Sequence, residues 1–384
     1  MQHHQILALS ISKLVLVIGV FGFLAPIIEA QTYSNIVGYD KLGAYDTLGN
    51  YLGSLSNSDT LVSLPFTRPP AFTGEVQSVA NNVVTVSGSP GWTNGEFLYS
   101  KGTQPNTYYA LIGGNSSGPA NPKEGCIYEV TGNTTNSLSL ALNGDSITAV
   151  PANSQITLIP YWTLSTLFPA ANANASFTPT VSTRNLATEI LIPNYAAIGV
   201  NQAYSETYYF INSGANIGWR LFGDAATTDH GDDVLAPNSY FVVRDANAAP
   251  TLPLIVAGDV LTGKVTASEI TQASQPQDND LAMIRPIDVT LNNSGLNPAD
   301  GSFVSTSSTR TLQDQLLVYN NSKAALNKSP SATYYYFNNA WRLFGDSTTV
   351  DHGSDLIPSG SALTIRKAAT GTGYTVFWQN SPTY

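Results

Sequence analysis

The sequence predicts an all-β protein made of two tandem β-sandwich or barrel-like units of short strands, with an inserted β subdomain in the first. Three observations carry this reading. Segments rich in β-branched and aromatic residues recur along the chain, each short and closed by Gly, Pro, Asn, Asp or Ser. Helix signals are nearly absent, the best being Trp162 to Phe168, about two turns. The phrase WRLFGD…DHG also occurs twice, at 219–233 and 341–355, with eleven of fifteen positions identical.

Residues 1–30 read as a signal peptide. Lys13 precedes an apolar run from Leu14 to Ile28, and Ala30 offers a small residue for cleavage before Gln31. The run is shorter than the roughly twenty residues a spanning helix needs, and no later segment is apolar enough to span a membrane. The expected location is therefore secreted: periplasm, cell surface or exterior. Residues 31–58 form an N-terminal segment. The first unit then runs over 59–248 and the second over 249–370, with a tail at 371–384.

Within these units the strand signals are VVTVSG (83–88), SLSLAL (137–142), SQITLIP (154–160), TEILIP (188–193), ETYYFI (206–211) and SYFVVR (239–244). In the second unit they are DQLLVY (314–319), ATYYYF (332–337) and SALTIR (361–366). Arg184 to Arg310 and Thr207-Tyr208-Tyr209 to Thr333-Tyr334-Tyr335 keep one offset, and the match closes at Arg244 and Arg366. Further back it is weaker: 60–76 resembles 251–265, which puts an insertion near 81–150 in the first unit only. Inserted surface segments are where binding functions are often added.

Charged residues make up 11% of the chain and the formal net charge is −10, with no run of Lys or Arg. That excludes the basic footprint of a nucleic-acid partner. Cys126 is the sole cysteine, so no intrachain disulfide can form, and it reads as a small core residue.

The repeated stretch gathers charge and both histidines of the chain beyond the signal segment. Trp219-Arg220-Leu221-Phe222 alternates as a strand, Gly223-Asp224 breaks it, and a polar loop follows. On the bland reading this is a structural motif. Trp219, Arg220, Phe222 and His230, with Trp341, Arg342, Phe344 and His352, would anchor the loop, Arg220 would pair with a carboxylate, and Gly231 would take a positive φ. On a sharper reading Asp224, Asp229 and Asp233, with Asp346, Asp351 and Asp355, offer hard oxygen ligands to Ca²⁺. Asp232 would be a fourth ligand, but Ser354 replaces it in the second copy, and the spacing matches no EF-hand. Acid–base chemistry by His230 beside Asp229 would need a tight turn. A third reading is pH sensing, since neighbouring carboxylates favour charged histidine. No catalytic motif is present, so no catalytic residue and no cofactor other than calcium is expected.

The phrases SDTLVSLPF, GTQPNTYYALIGG, KEGCIYEVTGN, IPYWTLSTLFP, GWRLFGD and DHGDDVLAPNSYFVVR are similar to those of exported verrucomicrobial proteins of unknown function. The resemblance covers the chain from about Asn57 onward. It implies a signal peptide and a bacterial source of that type, and brings no activity, cofactor or site residue. The expectation is an exported, non-catalytic surface, envelope or extracellular-matrix β protein that self-associates or binds extracellular polysaccharide. The alternative is a carbohydrate-binding module, with or without calcium. The third reading, an enzyme acting on polysaccharide, requires a carboxylate pair facing one cleft.

Overall fold

The computed structural model describes residues 36–45, 51–170, 176–213, 217–246 and 254–382; the expected signal peptide lies outside them. The chain is all-β; Leu164–Leu167 is a four-residue helix and Leu291–Asn293 a 3-10 turn. None of the helices among the described residues is long and apolar enough to cross a membrane.

Two five-stranded antiparallel sheets share one order. The first runs Gly218–Leu221, Tyr204–Ile211, Thr188–Pro193, Tyr240–Asp245, Ser58–Ser63; the second runs Ala340–Leu343, Ala332–Phe337, Gln315–Val318, Ala362–Lys367, Gln277–Ala282. Each is covered by a two-stranded ribbon. Val37–Leu42 pairs with Leu254–Asp259 and brings Leu254 and Val256 into the first core, beside Trp219 and Phe210. Val265–Ile270 pairs with Thr375–Asn380 and brings Ala267 and Trp378 into the second, beside Trp341 and Phe303. Segment 31–58 and tail 371–384, set apart in the sequence, thus supply strands to the two units.

The strand register corrects the weaker half of the repeat. Ser58–Ser63 lies against Tyr240–Asp245 as Gln277–Ala282 lies against Ala362–Lys367, so the counterpart of 58–63 is 277–282. The extra segment is therefore Leu64–Tyr161, standing where the second unit has only Met283–Asp288. Inside it, six strands close into a barrel from Phe72–Ala80 to Ser154–Pro160, wider than the 81–150 expected from the sequence. Closure removes the sheet edges, and the alternating inward residues Val84, Val86, Ile112, Leu138, Leu140, Ile156 and Leu158 fill the interior. Cys126 is buried in that core, and burial pushes its thiol pKa up.

The two sheets bury both faces, which explains apolar runs such as ILI and FVV. Ile190, Phe241 and Val243 point into the first core, whereas Leu191, Tyr240 and Val242 meet Ala362 and Tyr319 of the second unit. The junction is reciprocal. Asp59 takes a forked bond from Arg244 (2.7 and 2.8 Å) and accepts from the backbone N–H of Asn327 in the second unit (2.6 Å). Asp278 takes the same fork from Arg366 (2.7 and 3.0 Å) and accepts from the N–H of Asn201 in the first (2.7 Å). Both asparagines sit at positive φ, 52° and 49°. The contact is isologous, as in a twofold dimer, but lies within one chain.

Candidate functional site

In each repeated loop the strand bearing Trp219 or Trp341 is the outer edge of its sheet, while the two sheets touch through the strands at their other ends. The copies therefore belong to separate units and do not share a cleft. Each loop folds around two cations supplied by the protein.

The first is arginine. Arg220, buried, donates from Nε to Ala226 O (2.7 Å) and from Nη1 to Trp219 O (2.7 Å) and Asp229 Oδ1 (3.2 Å). It gathers loop carbonyls as a bound ion would. Arg342 is anchored differently: its Nη1 donates to Val350 O (2.6 Å), its Nε has no hydrogen-bond partner among the described residues, and Asp351 accepts instead from the N–H of Gly353 (2.9 Å).

The second is histidine. His230 places Nδ1 2.8 Å from Asp233 Oδ2 and Nε2 2.9 Å from Asp224 Oδ2. His352 does the same with Asp355 (2.8 Å) and Asp346 (3.1 Å). Tyr208 and Tyr334 donate to the Asp233 and Asp355 carboxylates (2.9 and 3.1 Å). The partners of His230 are thus three residues ahead and six behind, not the adjacent Asp229. Only an imidazolium donates from both ring nitrogens at once, so this clasp selects the charged form.

Placement of the proposed calcium ligands follows. Asp224 and Asp233 lie on opposite sides of one ring, so no single ion meets both ring-bound oxygens. Asp229 faces Arg220, and Asp232 accepts from the Tyr99 hydroxyl of the barrel (3.1 Å). Among the described residues no three His, Cys, Asp or Glu side chains converge as a metal site would.

The glycine of DHG has a reason other than the positive φ expected for it. The N–H groups opening the short helix donate into the loop, Ser165 to Gly231 O (2.8 Å) and Leu164 to Asp233 O (3.2 Å). A Cβ on Gly231 would stand 2.0 Å from Ser165 Oγ, and one on Gly353 2.4 Å from Asn292 Nδ2. Phe222 and Phe344 also depart from expectation: they are 57% and 64% exposed, while Trp219 and Trp341 are 1% exposed. The loop turns just after Leu221 and Leu343 and leaves each phenylalanine outside the core.

The clasps set a pH dependence. Burial lowers the His230 pKa, but hydrogen bonds and charge from Asp233 and Asp224 outweigh it and raise it above 6.5; His352 is raised in the same way by Asp355 and Asp346. A folded-state pKa above the unfolded value stabilises fully below pH 6.5 and is lost as pH rises through the folded value. We expect the urea midpoint to fall from about pH 6.5 upward. The His230→Asn/His352→Asn double variant should flatten that slope; an unchanged slope would remove the clasps as its source.

A large concavity lies elsewhere, where the units meet. This cleft of about 610 Å³ is bordered by Asp40 and Lys41 of the first ribbon, Leu61 and Val62 of the first sheet, and Tyr319–Ser322 and Pro358–Ala362 of the second unit. Asn321 bonds both Leu61 N–H (3.0 Å) and Leu61 O (2.8 Å), closing the cleft floor across the junction. Asp40 and Asp288 both face it; burial raises the Asp40 pKa, the Lys41 N–H lowers it, and Asp288 raises it again. Tyr334, bonded to Asp355, lines one side and is the link between cleft and clasp. Several of these cleft residues lie in the strand and repeat phrases, Tyr319 in DQLLVY and Tyr334 in ATYYYF among them, but no sequence pattern marked them as a site. Comparison with family models, curated proteins and solved structures finds no match.

Proposed function

We propose that this chain is an exported, non-catalytic component of the cell surface or extracellular matrix that binds polysaccharide in the cleft between its repeat units. The observation that carries the reading is the lining of that cleft. It sets amides (Asn320, Asn321), hydroxyls (Ser322, Ser331, Ser359) and the rings of Tyr319 and Tyr334 around one space large enough for an oligosaccharide. A sugar offers hydroxyls to such groups and an apolar face to such rings. The acidic balance and absence of a basic run speak for a neutral polymer over a polyanion.

The test is binding to insoluble polysaccharides and to a glycan array. Ser331→Trp, which puts a bulky ring into the cleft from an exposed position, should weaken binding at least about tenfold, the equivalent of 1.4 kcal/mol. Binding that survives this change, or no binding to any glycan, would overturn the reading.

A further inference from the structure

Behind the second sheet, away from cleft and loops, one lysine and two carboxyl groups are sealed together. Lys367 ends the strand Ala362–Lys367, Asp314 immediately precedes Gln315–Val318, and Glu269 lies on the covering ribbon. Their side chains are 1%, 1% and 0% exposed. Gln315 pairs with Arg366, so the next step of the register sets Asp314 opposite Lys367. Lys367 Nζ is 2.5 Å from Asp314 Oδ2 and 3.1 Å from Glu269 Oε2, and it donates to Ser302 O (2.8 Å). The buried Phe303 ring stands 6.0 Å away. Glu269 Oε1 has no hydrogen-bond partner among the described residues.

The fold itself does not require this charge. At the same place in the first unit Thr188 opposes Asp245 and donates to it (2.8 Å), with no amine present. The copies have diverged together at facing positions, Asp245 to Lys367 and Thr188 to Asp314. One ammonium and two carboxyls in a dry core are costly as ions.

We propose that Lys367 and Asp314 are joined by an isopeptide bond that the folded chain forms itself, with Glu269 as the proton-transfer group. The ammonium first gives one proton to Asp314 Oδ2, which yields a neutral amine and a carboxylic acid; burial favours this uncharged pair, against the pull of Glu269 and Asp314, which hold the Lys367 pKa up. The nitrogen lone pair attacks Cγ and the Nζ–Cγ bond forms. Glu269 gives its proton to the departing Oδ2 hydroxyl and takes one from nitrogen. The Cγ–Oδ2 bond breaks, water leaves, and Glu269 returns to its starting state. Ammonium and carboxylate have become amide and water, with no oxidant or other reactant. Asp314 Oδ1 accepts from the N–H of Ala368 (3.0 Å) and Oδ2 from that of Val304 (2.8 Å); Oδ1 stays as the amide oxygen, where the Ala368 N–H meets the charge developing on it. Burial supports the shuttle role by pushing the Glu269 pKa up, against the pull of Lys367, to about 7, which keeps a proton available there. Fixed contact between the reacting groups supplies the effective concentration. The product ties neighbouring strands covalently in a chain whose one cysteine cannot form a disulfide within it.

Peptide mapping of the denatured full chain by mass spectrometry tests this directly. The wild-type digest should contain a branched peptide joining the segments around 314 and 367, lighter than their sum by one water. Glu269→Gln, nearly isosteric, should return the two linear peptides, as should Lys367→Arg. Linear wild-type peptides, with the Lys367 amine open to acylation after denaturation, would overturn the bond and leave a buried ion pair. A branched peptide formed equally in Glu269→Gln would overturn the part assigned to Glu269.

Discussion

Truncating Trp219 to alanine is expected to cost the first unit about 3–5 kcal/mol, whereas truncating Phe222, three residues along the same phrase, should cost at most about 0.5 kcal/mol. The two aromatic residues recur together in both copies, yet they live in different environments. Trp219 meets the rings of Phe210, Phe177 and Phe168 at 5.4, 5.5 and 6.1 Å and donates Nε1–H to Phe168 O (3.3 Å). Removing it opens a cavity that a sheet, a ribbon and the short helix all line, and leaves a buried carbonyl without its donor. Phe222 holds its place through the backbone, its N–H on Thr207 O (2.8 Å), which alanine retains. Urea unfolding followed by circular dichroism separates the cases. Equal midpoints for the two variants would sink this account of the motif.

The contrast marks how far the sequence could be read. Period and composition identify strands well where both faces are buried, because apolar runs such as TEILIP and SYFVVR leave no other use for their residues. The repeat is plain wherever the copies keep whole phrases. It fades at the edge strands, where SDTLVS and QDNDLA share little beyond the aspartate at the second position, Asp59 and Asp278, and nothing in propensity ties either to a distant arginine. Barrel closure is invisible for a similar reason, since the register of six short strands is set by packing and not by local pattern. The clasp partners were within the right stretch but unassigned: His230 reaches Asp224 and Asp233 only because the loop doubles back against Leu164–Leu167. The Lys367, Asp314 and Glu269 triad did leave a trace. The copies differ at two positions that face each other across neighbouring strands, Thr188 and Asp314 inside the aligned phrases and Asp245 and Lys367 one residue past their end. Such paired divergence becomes visible only once the register is known.

Arg244→Met is expected to cost about 3–5 kcal/mol, the scale for stripping the partner from a buried charge. The Asp59 side chain is fully buried and that of Arg244 is 19% exposed, so the substitution leaves a carboxylate in the junction with one backbone N–H in place of a guanidinium fork. More than one contact goes with it. Arg244 Nη2 also donates to Asn327 Oδ1 (2.6 Å), and its guanidinium stacks 5.9 Å from the Tyr204 ring, so the second unit's loop loses its anchor on the first. Asp59→Asn with Arg244→Met removes the stranded charge, so the double variant should be more stable than the sum of the single effects by about 1–3 kcal/mol. The equivalent change at Arg366, which holds Asp278 and Asn201 in the reverse sense, should act with similar size. Because each fork holds a loop of the other unit, loss of either weakens both halves of one junction, and urea unfolding of Arg244→Met should show both units yielding earlier than in the wild type. A value within about 0.5 kcal/mol of wild type would mean that apolar contact alone carries the junction, with the forks as exposed surface pairs do elsewhere contributing almost nothing.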